Sequence, residues 1–568
     1  MKKLKIYTAC MLILATVSTT AQTYHENDKE GLRIFLRQPS AQAGKINAEQ
    51  LGLQISDTLN WQNDEVWVTK VVYLVWNEET PKRLTGIYNT GIIWGWGGWN
   101  YRNLAGTLDA TKWLKLNRLF CSYNQLTILD ISANLMLQKL DCSYNQLSTL
   151  DLSANTELQI LYCPGNQLNS LVLNTNTKLL ELDCSTNPLD VLDVSNNTEL
   201  EILACGGNQL TVLDLSANIN LKQLLCSNNP LTTLDLSANT ELWWLECINT
   251  PLTSLNFCEN TKLRELYCYD NKLNILALNT NRELQWLECY NNQLAALDLS
   301  ANTELRNLKC YNNQLTALDL SANIELRSLE CCNNQLTALD LSANTVLWRL
   351  ECYNNQLATL ILNDSSKLDY LICYNNQLLL SDLFAASQIL ENNEASMFWR
   401  LLGNQTLPTQ VAILDIALDF PVPQNVFNGI YTQFSVIPSS GYSITNGKIT
   451  FNKKGTYSVF MTNRAIISSS DSPAKIAFEV TVEDVGIPEF LQTLQIKVYP
   501  NPTMGQLTIN SEQLTMNNIE IFDVMGRKIP LFPCSSVPAS TVTMNISQLS
   551  AGIYFLRIDG ETVKVVKQ

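Results

Sequence analysis

Leucines recur along the middle of the chain at fixed intervals, and polar residues recur between them just as regularly. From residue 113 to residue 380 the pattern repeats every 21 residues as L-x-x-L-x-C-x-x-N-x-L-x-x-L-x-L-x-x-N-x-x. Thirteen cysteines, from Cys121 to Cys373, mark the period. Leucine stands two positions before each of them, and asparagine three positions after all but one, where Thr250 replaces it. A constant period predicts stacked turns, each of which buries its apolar side against its neighbours.

Within each turn, the L-x-C segment predicts a short strand in which Leu and Cys point inward and the residues beside them point outward. This is the pattern of a leucine-rich repeat with cysteine in one leucine position. Stacking would join the strands into one parallel sheet on the concave side of a curved solenoid. The asparagine column is expected to hydrogen-bond the backbone of successive turns.

The cysteine ladder is interpreted as a set of reduced, buried thiols that act as small hydrophobic residues. Metal sites pair cysteines at spacings such as C-x-x-C, which the ladder lacks. Parallel side chains stacked in register also point the wrong way for a relaxed disulfide. Two further cysteines depart from the ladder: Cys258 replaces a serine on the convex side, and Cys332 is predicted to face outward on the concave surface.

The regions beside the repeats predict a cap and a spacer. Residues 22–112 are expected to cap the solenoid, with a helix at 31–36, a strand at 66–75 and a cluster of Trp94, Trp96 and Trp99. Residues 381–485 predict a helix at 383–390 and then alternating strands from about Gln405, among them 449–451 and 477–482. We interpret these strands as an immunoglobulin-like β-sandwich, followed by a linker at 486–488.

Both ends of the chain are interpreted as targeting segments. Residues 1–21 have a basic start, an apolar stretch at 11–17 and small residues before Gln22, which is typical of a signal peptide. No later stretch reaches the ~18 apolar residues of a membrane helix, so no membrane span is expected. At the other end, residues 492–568 alternate strands with Pro, Asn and Gly turns and predict a small β-sandwich.

The tail resembles the C-terminal sorting domain of type IX secretion cargo in the order and residue pattern of three segments, 498–505, 519–529 and 546–558. The resemblance implies recognition of the tail by the type IX machinery at the outer membrane and removal of the tail, together with Cys534. The resemblance also implies that the mature protein is either released or attached to surface lipopolysaccharide. The alternative is an ordinary terminal β-domain that stays on the chain.

The repeats resemble those of internalin J, within a wider family of bacterial surface proteins with leucine-rich repeats. The resemblance rests on the 21-residue period, the place of the cysteine and the segment LDLSANTEL at 150–158, with near copies at 234, 297 and 318. It implies a leucine-rich repeat fold, and adhesion or partner binding less directly, because such repeats serve many partners.

Composition excludes several functions. The net charge of -15 disfavours a nucleic-acid partner. The single histidine, His25, lies outside the patterned regions, which removes the usual base of Ser/His/Asp and Cys/His catalysis. We expect no enzyme activity, no cofactor and a monomeric chain. An aspartate column (Asp130, Asp151, Asp193, Asp214, Asp235, Asp298, Asp319 and Asp340) is compatible with calcium, but turn-forming side chains are the favoured interpretation.

The outward face of the sheet carries the candidate binding residues, because the fold does not dictate residue type there. The aromatic candidates are Tyr269, Tyr290, Tyr311, Tyr353 and Tyr374, with Trp244, Tyr267, Trp286 and Tyr370 beside them. The carboxylate candidates are Glu288, Glu330 and Glu351, in a column that also holds Glu246 and, as its one basic residue there, Lys309. Aromatic side chains are typical of protein hot spots and also stack on sugars, whereas stacked tyrosines can also simply stabilise a sheet.

The sequence therefore predicts a secreted, surface-exposed leucine-rich repeat protein that binds a protein or a glycan through its concave face, in adhesion or recognition. The alternative is a structural component of the surface or matrix without a specific ligand. Binding that depends on Trp244 and Trp286 would distinguish a glycan partner from a protein partner.

Overall fold

A computed structural model of the chain describes most of the repeats and parts of the flanking regions. The described residues are 25–50, 74–76, 84–88, 93–95, 98–100, 104–392, 400–420, 424–469, 472–483, 496–499, 506–511, 519–523, 527–529, 541–550, 552–558 and 561–567. The predicted signal peptide, most of the predicted 66–75 strand, the side chains of the tryptophan cluster, the 486–488 linker and Cys534 lie outside them. The described residues form two compact units, one up to Cys352 together with 363–367, the other comprising 353–362 and the residues from Leu368 onward.

The first unit begins with two helices and two strand pairs. The helices are α1 (Glu26–Leu36) and α2 (Asn47–Gln50), which confirms the helix predicted at 31–36. The strands are β1 (Leu74–Trp76), β2 (Leu84–Tyr88), β3 (Ile93–Gly95) and β4 (Gly98–Asn100). Fully buried Trp113 donates from Nε1 to the carbonyl of Asp28 at 3.1 Å, and so joins α1 to the first repeat.

The repeats of the first unit contribute one short strand per turn to a parallel sheet. Its strands are β6 (Arg118–Phe120), β8 (Lys139–Asp141), β9 (Ile160–Tyr162), β10 (Glu181–Asp183), β11 (Ile202–Ala204), β12 (Gln223–Leu225), β13 (Trp244–Glu246), β14 (Glu265–Tyr267), β15 (Trp286–Glu288), β16 (Asn307–Lys309), β17 (Ser328–Glu330) and β19 (Arg349–Glu351). Other strands of this unit are β5 (Ala105–Asp109), β7 (Gln125–Asp130) and β18 (Ala338–Leu341). β6 pairs with β2, which pairs antiparallel with β1.

Each sheet strand is centred on the leucine that precedes the cysteine. The strand predicted at L-x-C therefore lies one residue earlier, at x-L-x, and the cysteine follows its end. The predicted orientation is confirmed, since Leu287 and Cys289 are fully buried, as are the other leucines and cysteines at these two positions, apart from a few per cent of Cys121. The backbone N–H of Cys289 continues the ladder by donating to the carbonyl of Lys309 at 2.9 Å.

Two asparagine ladders hold successive turns together. In the first, which the sequence predicts, Asn292 accepts from the backbone N–H of Leu273 at 3.0 Å. Its Nδ2 donates to the carbonyls of Cys268 and Cys289 at 3.0 and 3.1 Å. Thr250, which replaces asparagine in one turn, makes one bond of this kind: its hydroxyl donates to the carbonyl of Cys247. Because these groups are buried away from water, each amide satisfies backbone groups that would otherwise be unpaired.

The second ladder is formed by the other asparagine of the repeat, on the side of the turn away from the sheet. Asn302 is fully buried, and its Nδ2 donates to the carbonyls of Leu278 and Asn281 in the preceding turn, at 3.0 and 2.8 Å. The equivalent asparagines from Asn155 to Asn344 make the same two bonds. The sequence pattern contains this asparagine, but its function became clear only from the structure.

The second unit contains the last repeat strand, a helix and a β-rich region. Its elements are β20 (Thr359–Leu362), β21 (Tyr370–Ile372), α3 (Leu380–Asn392), β22 (Arg400–Leu401), β23 (Gln405–Thr406), β24 (Gln410–Ile413), β25 (Val426–Phe427), β26 (Ile430–Tyr431), β27 (Gln433–Ile437), β28 (Tyr442–Thr445), β29 (Lys448–Phe451), β30 (Gly455–Ser469) and β31 (Ser472–Glu483). The predicted helix and the two predicted strands are confirmed. β30 lies between β27 and β31 in a five-stranded sheet, and β28 pairs with β29 separately.

The tail consists of two antiparallel sheets. Its strands are β32 (Ile496–Tyr499), β33 (Gln506–Ser511), β34 (Ile519–Asp523), β35 (Lys528–Ile529), β36 (Thr541–Asn545), β37 (Gly552–Ile558) and β38 (Glu561–Lys567). One sheet has the order β32-β33-β36 and the other β35-β34-β37-β38. The alternating pattern of the sequence therefore gives strands, as expected.

Candidate functional site

The outer face of the parallel sheet displays three columns of side chains. Every strand places one outward residue before its buried leucine and one after it, and a third follows the buried cysteine. In β13, for example, Trp244 belongs to the first column, Glu246 to the second and Ile248 to the third. In-register pairing puts equivalent residues of successive turns side by side, so each column is continuous along the sheet.

Tyr269, Tyr290 and Tyr311 form a stack in the third column, here called the tyrosine stack. Their ring centroids lie 4.1 and 4.2 Å apart, with planes inclined by 13° and 12°. Both faces of Tyr290 are thus covered by its neighbours, and the stack exposes ring edges and hydroxyls. Burial and hydrogen bonds to the two neighbouring hydroxyls raise the pKa of Tyr290, so its hydroxyl remains protonated.

The other predicted third-column residues are Tyr353 and Tyr374, which stack on each other in the second unit at 4.8 Å. Tyr370, in the first column there, is half-buried. Cys332 corrects a prediction: it occupies the third column, but it is only 2% exposed. A cysteine ends at Sγ and is much shorter than the tyrosines of the same column, so its place in the column does not bring it to the surface.

Aromatic and carboxylate side chains alternate on β13, β14 and β15, in a set called here the aromatic–carboxylate cluster. It consists of Trp244 and Glu246, Glu265 and Tyr267, and Trp286 and Glu288. Pairing sets Trp244 opposite Glu265 and Glu246 opposite Tyr267, and the next pair of strands repeats the alternation. The ring of Tyr267 lies 5.6 Å from that of Trp244 and 6.5 Å from that of Trp286, centroid to centroid. Glu265 was not among the predicted residues, because carboxylates were considered only in the second column.

The three glutamates predicted as binding residues are engaged within the sheet. Glu288 accepts from Trp286 Nε1 at 2.9 Å and pairs with Lys309 Nζ at 3.1 Å. Glu330 lies 3.4 Å from Arg349 Nε, and Glu351 pairs with the same guanidinium. Lys309 is the one basic residue of the second column, and Arg349 of the first column reaches across to this column as well.

Nearer the N-terminus, the second column carries the acidic residues Asp141 and Asp183 beside the aromatic residues Phe120 and Tyr162. Asp141 and Asp183 each accept from the backbone N–H of the serine two residues later, at 3.0 and 2.9 Å. Burial raises the pKa of both carboxyl groups. In the first and third columns of the described first-unit repeats, aromatic side chains occur only from β13 onward, at Trp244, Trp286 and the tyrosine stack.

The aspartate column away from the sheet forms turns. Asp193 Oδ1 accepts the backbone N–H of Ser195 at 2.9 Å, and Asp214 does the same for Ser216. These bonds lower the pKa of both carboxyl groups below the usual value. Among the described residues, no group of three or more histidine, cysteine or acidic side chains is placed to hold a metal ion.

The aspartate turns predict a pH-dependent contribution to stability. Because the folded-state pKa values are lowered, the contribution is present above the unfolded-state value of about 4 and is lost as the pH falls through the folded-state pKa. Between pH 5 and pH 2.5, the melting temperature of the unmodified chain should fall more steeply than that of Asp193→Asn/Asp214→Asn, which keeps the acceptor oxygens. Equal slopes in thermal unfolding would contradict the assignment.

Two parts of the chain, the C-terminal tail and the repeats, are similar to known proteins. Residues 497–568 match the family model of the Secretion system C-terminal sorting domain. This domain indicates type IX secretion across the outer membrane to the cell surface. No helix in the part of the chain that the structure describes combines the length and apolarity needed to cross a membrane. No curated protein matches the chain.

Among solved structures, the functional domain of InlJ from Listeria monocytogenes, which includes a cysteine ladder, is similar to this chain. The two are 27% identical with a TM-score of 0.55, over 66% of this chain and 90% of InlJ. The internalin InlF of the same organism is 20% identical over 64% of this chain and 94% of its own, with a TM-score of 0.42. A leucine-rich repeat protein of Leptospira interrogans is 24% identical over 54% and 84%, with a TM-score of 0.46. The chain is thus a secreted surface protein with internalin-like leucine-rich repeats, and the comparisons indicate no catalytic family.

Proposed function

We propose that this protein binds a macromolecular partner, a protein or a glycan, through the outer face of its parallel sheet, and that it acts in adhesion or recognition at the cell surface. The observation that carries the proposal is the concentration of half-buried aromatic side chains on β13 to β16 and the residues that follow them. Nine aromatic residues were predicted to contribute, six of them in the first unit. Rigid rings of this kind bury a large area at little entropic cost and dominate interface energetics.

The alternative is a structural component of the surface or matrix without a specific ligand. It is supported by the tyrosine stack, whose rings stabilise the sheet by contacting one another. It does not account for the alternation of Trp244, Tyr267 and Trp286 with carboxylates, which sheet stability alone does not require. That alternation favours recognition.

Non-enzymatic binding is also the proposal that best fits the carboxylates. Glu288, Glu330 and Glu351 belong to a repeated column and are paired with Lys309 and Arg349. A hydrolase of the two-carboxylate type would need one isolated pair, with one group kept protonated. In this proposal the chain works as a monomer without a cofactor or a nucleic-acid partner.

The flanking regions position the binding face. We assign residues 1–21 to a signal peptide, 22–112 to an N-terminal cap, 113–380 to the repeats, 381–485 to an immunoglobulin-like β-sandwich spacer and 492–568 to the sorting domain. The buried contact between Trp113 and α1 supports the cap, and the sheet containing β27, β30 and β31 supports the spacer.

The test is binding of the full-length chain to host matrix proteins, bacterial surface extracts and glycans, compared with a variant that carries Tyr269→Ser, Tyr290→Ser and Tyr311→Ser. We expect the triple variant to bind its partner at least about tenfold more weakly, because several hot-spot aromatics are removed together. The matched control is Val191→Ser, Val212→Ser and Ile275→Ser, which changes three side chains that are 67%, 69% and 68% exposed outside the sheet strands.

The control triple variant should bind like the unmodified chain. Equal binding by all three folded proteins would reject the tyrosine stack as part of the binding surface. Absence of binding across the whole panel would favour the structural alternative.

A further inference from the structure

The aromatic–carboxylate cluster on β13, β14 and β15 carries uncompensated negative charge. Of its three glutamates, Glu288 is paired with Lys309. Within the described ranges, no lysine or arginine forms an ion pair with Glu246 or Glu265. Instead, Ser227 Oγ donates to Glu246 at 3.1 Å and Tyr267 Oη donates to Glu265 at 2.8 Å, so both carboxylates are held by neutral hydroxyls.

The ring of Tyr267 is tilted against its two aromatic neighbours, whereas the rings of the tyrosine stack lie almost parallel. Tyr267 is inclined by 34° to Trp244 and by 35° to Trp286, at centroid distances of 5.6 and 6.5 Å. Neighbours in the tyrosine stack lie near 4 Å and almost parallel. An aromatic face with carboxylates beside it attracts a cation through the ring quadrupole and the carboxylate charge together.

Tyr267 lies at the centre of this arrangement. Register places Glu246 and Glu288 on either side of it in the second column, and Glu265 precedes it on its own strand. Burial, the hydrogen bond to Glu265 and the three neighbouring carboxylates all raise the pKa of Tyr267. A cation above this ring would meet aromatic surface below it and carboxylates on three sides.

We propose that the aromatic–carboxylate cluster binds a basic polypeptide segment of the partner, with a lysine or arginine side chain over Tyr267 and ion-paired with Glu246 and Glu265. This inference rests on the proposed function and adds the chemistry of the partner. Charge complementarity favours it over a neutral glycan, which would use the rings and leave the two carboxylates without a counter-charge. An acidic segment would be repelled by the same groups.

The test uses the full-length chain and three labelled probes: a twelve-residue peptide of alternating lysine and glycine, its glutamate and glycine counterpart, and a neutral gluco-oligosaccharide. Binding is measured by fluorescence anisotropy at two salt concentrations. The variant Glu246→Gln/Glu265→Gln keeps the size of both side chains and removes two charges. The control Glu259→Gln/Glu304→Gln removes two charges from exposed turns, and so corrects for attraction by the overall net charge.

The lysine peptide should bind about tenfold more weakly to Glu246→Gln/Glu265→Gln than to the unmodified chain, with less than about a twofold change in the control variant. Equal weakening by both pairs, or no binding of the lysine peptide, would overturn the inference. Binding of the oligosaccharide alone, lost in Trp244→Ser/Trp286→Ser, would also overturn it and leave the proposed function standing. Denaturation midpoints show whether each variant is folded, and Glu265→Gln alone is the second variant if the pair is unstable.

Discussion

Replacement of Asn302 by alanine is expected to lower the free energy of unfolding by about 1–3 kcal/mol, because it removes two buried hydrogen bonds to the preceding turn. Asn302 Nδ2 reaches the carbonyls of Leu278 and Asn281 at 3.0 and 2.8 Å, and the side chain is fully buried. Water cannot replace the lost donors in a packed turn. The measurement is the midpoint of chemical denaturation, followed by tryptophan fluorescence.

The neighbouring residue supplies the control for this prediction. Thr303 lies in the same turn but is exposed, so Thr303→Ala should change the stability by no more than about 0.5 kcal/mol. If Asn302→Ala were as mild as Thr303→Ala, the second asparagine ladder would not be a source of stability.

Alkylation of the native chain at pH 8 is expected to modify Cys258 at least about 1000-fold faster than the ladder cysteines, because only the thiolate reacts. Cys258 is exposed. Burial raises the pKa of Cys226, Cys289 and Cys373 to about 12. The ladder thiols therefore combine inaccessibility with a very small ionised fraction at this pH.

Mass spectrometry of peptides from iodoacetamide-treated protein measures this difference. After denaturation, the ladder cysteines should be modified at rates similar to that of Cys258, since the structure has Cys121 to Cys310 as free thiols. Ladder peptides that stay unmodified in denaturant would indicate disulfides. Ladder peptides modified as fast as Cys258 in the native chain would contradict the buried core.

The repeat architecture could be predicted from the sequence because each recurring residue has one structural task. Leu287 and Cys289 fill the core, and Asn292 satisfies backbone groups of two turns. A residue type restricted in this way recurs visibly at the period. The helices α1 and α3 were predicted for a similar reason, since apolar residues recur there at helical spacing.

The chemistry of the outer face was less predictable. The 21-residue period predicts which residues form each column. It does not predict the partners of Glu330 and Glu351, because these depend on how far the long side chain of Arg349 reaches between columns. The stacking of Tyr269, Tyr290 and Tyr311 hides the ring faces that sequence alone suggested for sugar binding. The burial of Cys332 depends on its small size beside larger neighbours rather than on its place in the third column.

The most direct test of the binding face is photo-crosslinking with the partner that the binding panel identifies. Benzoylphenylalanine replaces Asn307, which lies half-buried in the first column between Trp286 and Ser328, or Val212, which is exposed outside the sheet strands. Our account predicts a crosslinked adduct from position 307 and none from position 212. An adduct from position 212 alone would place the binding surface elsewhere on the solenoid and contradict the account.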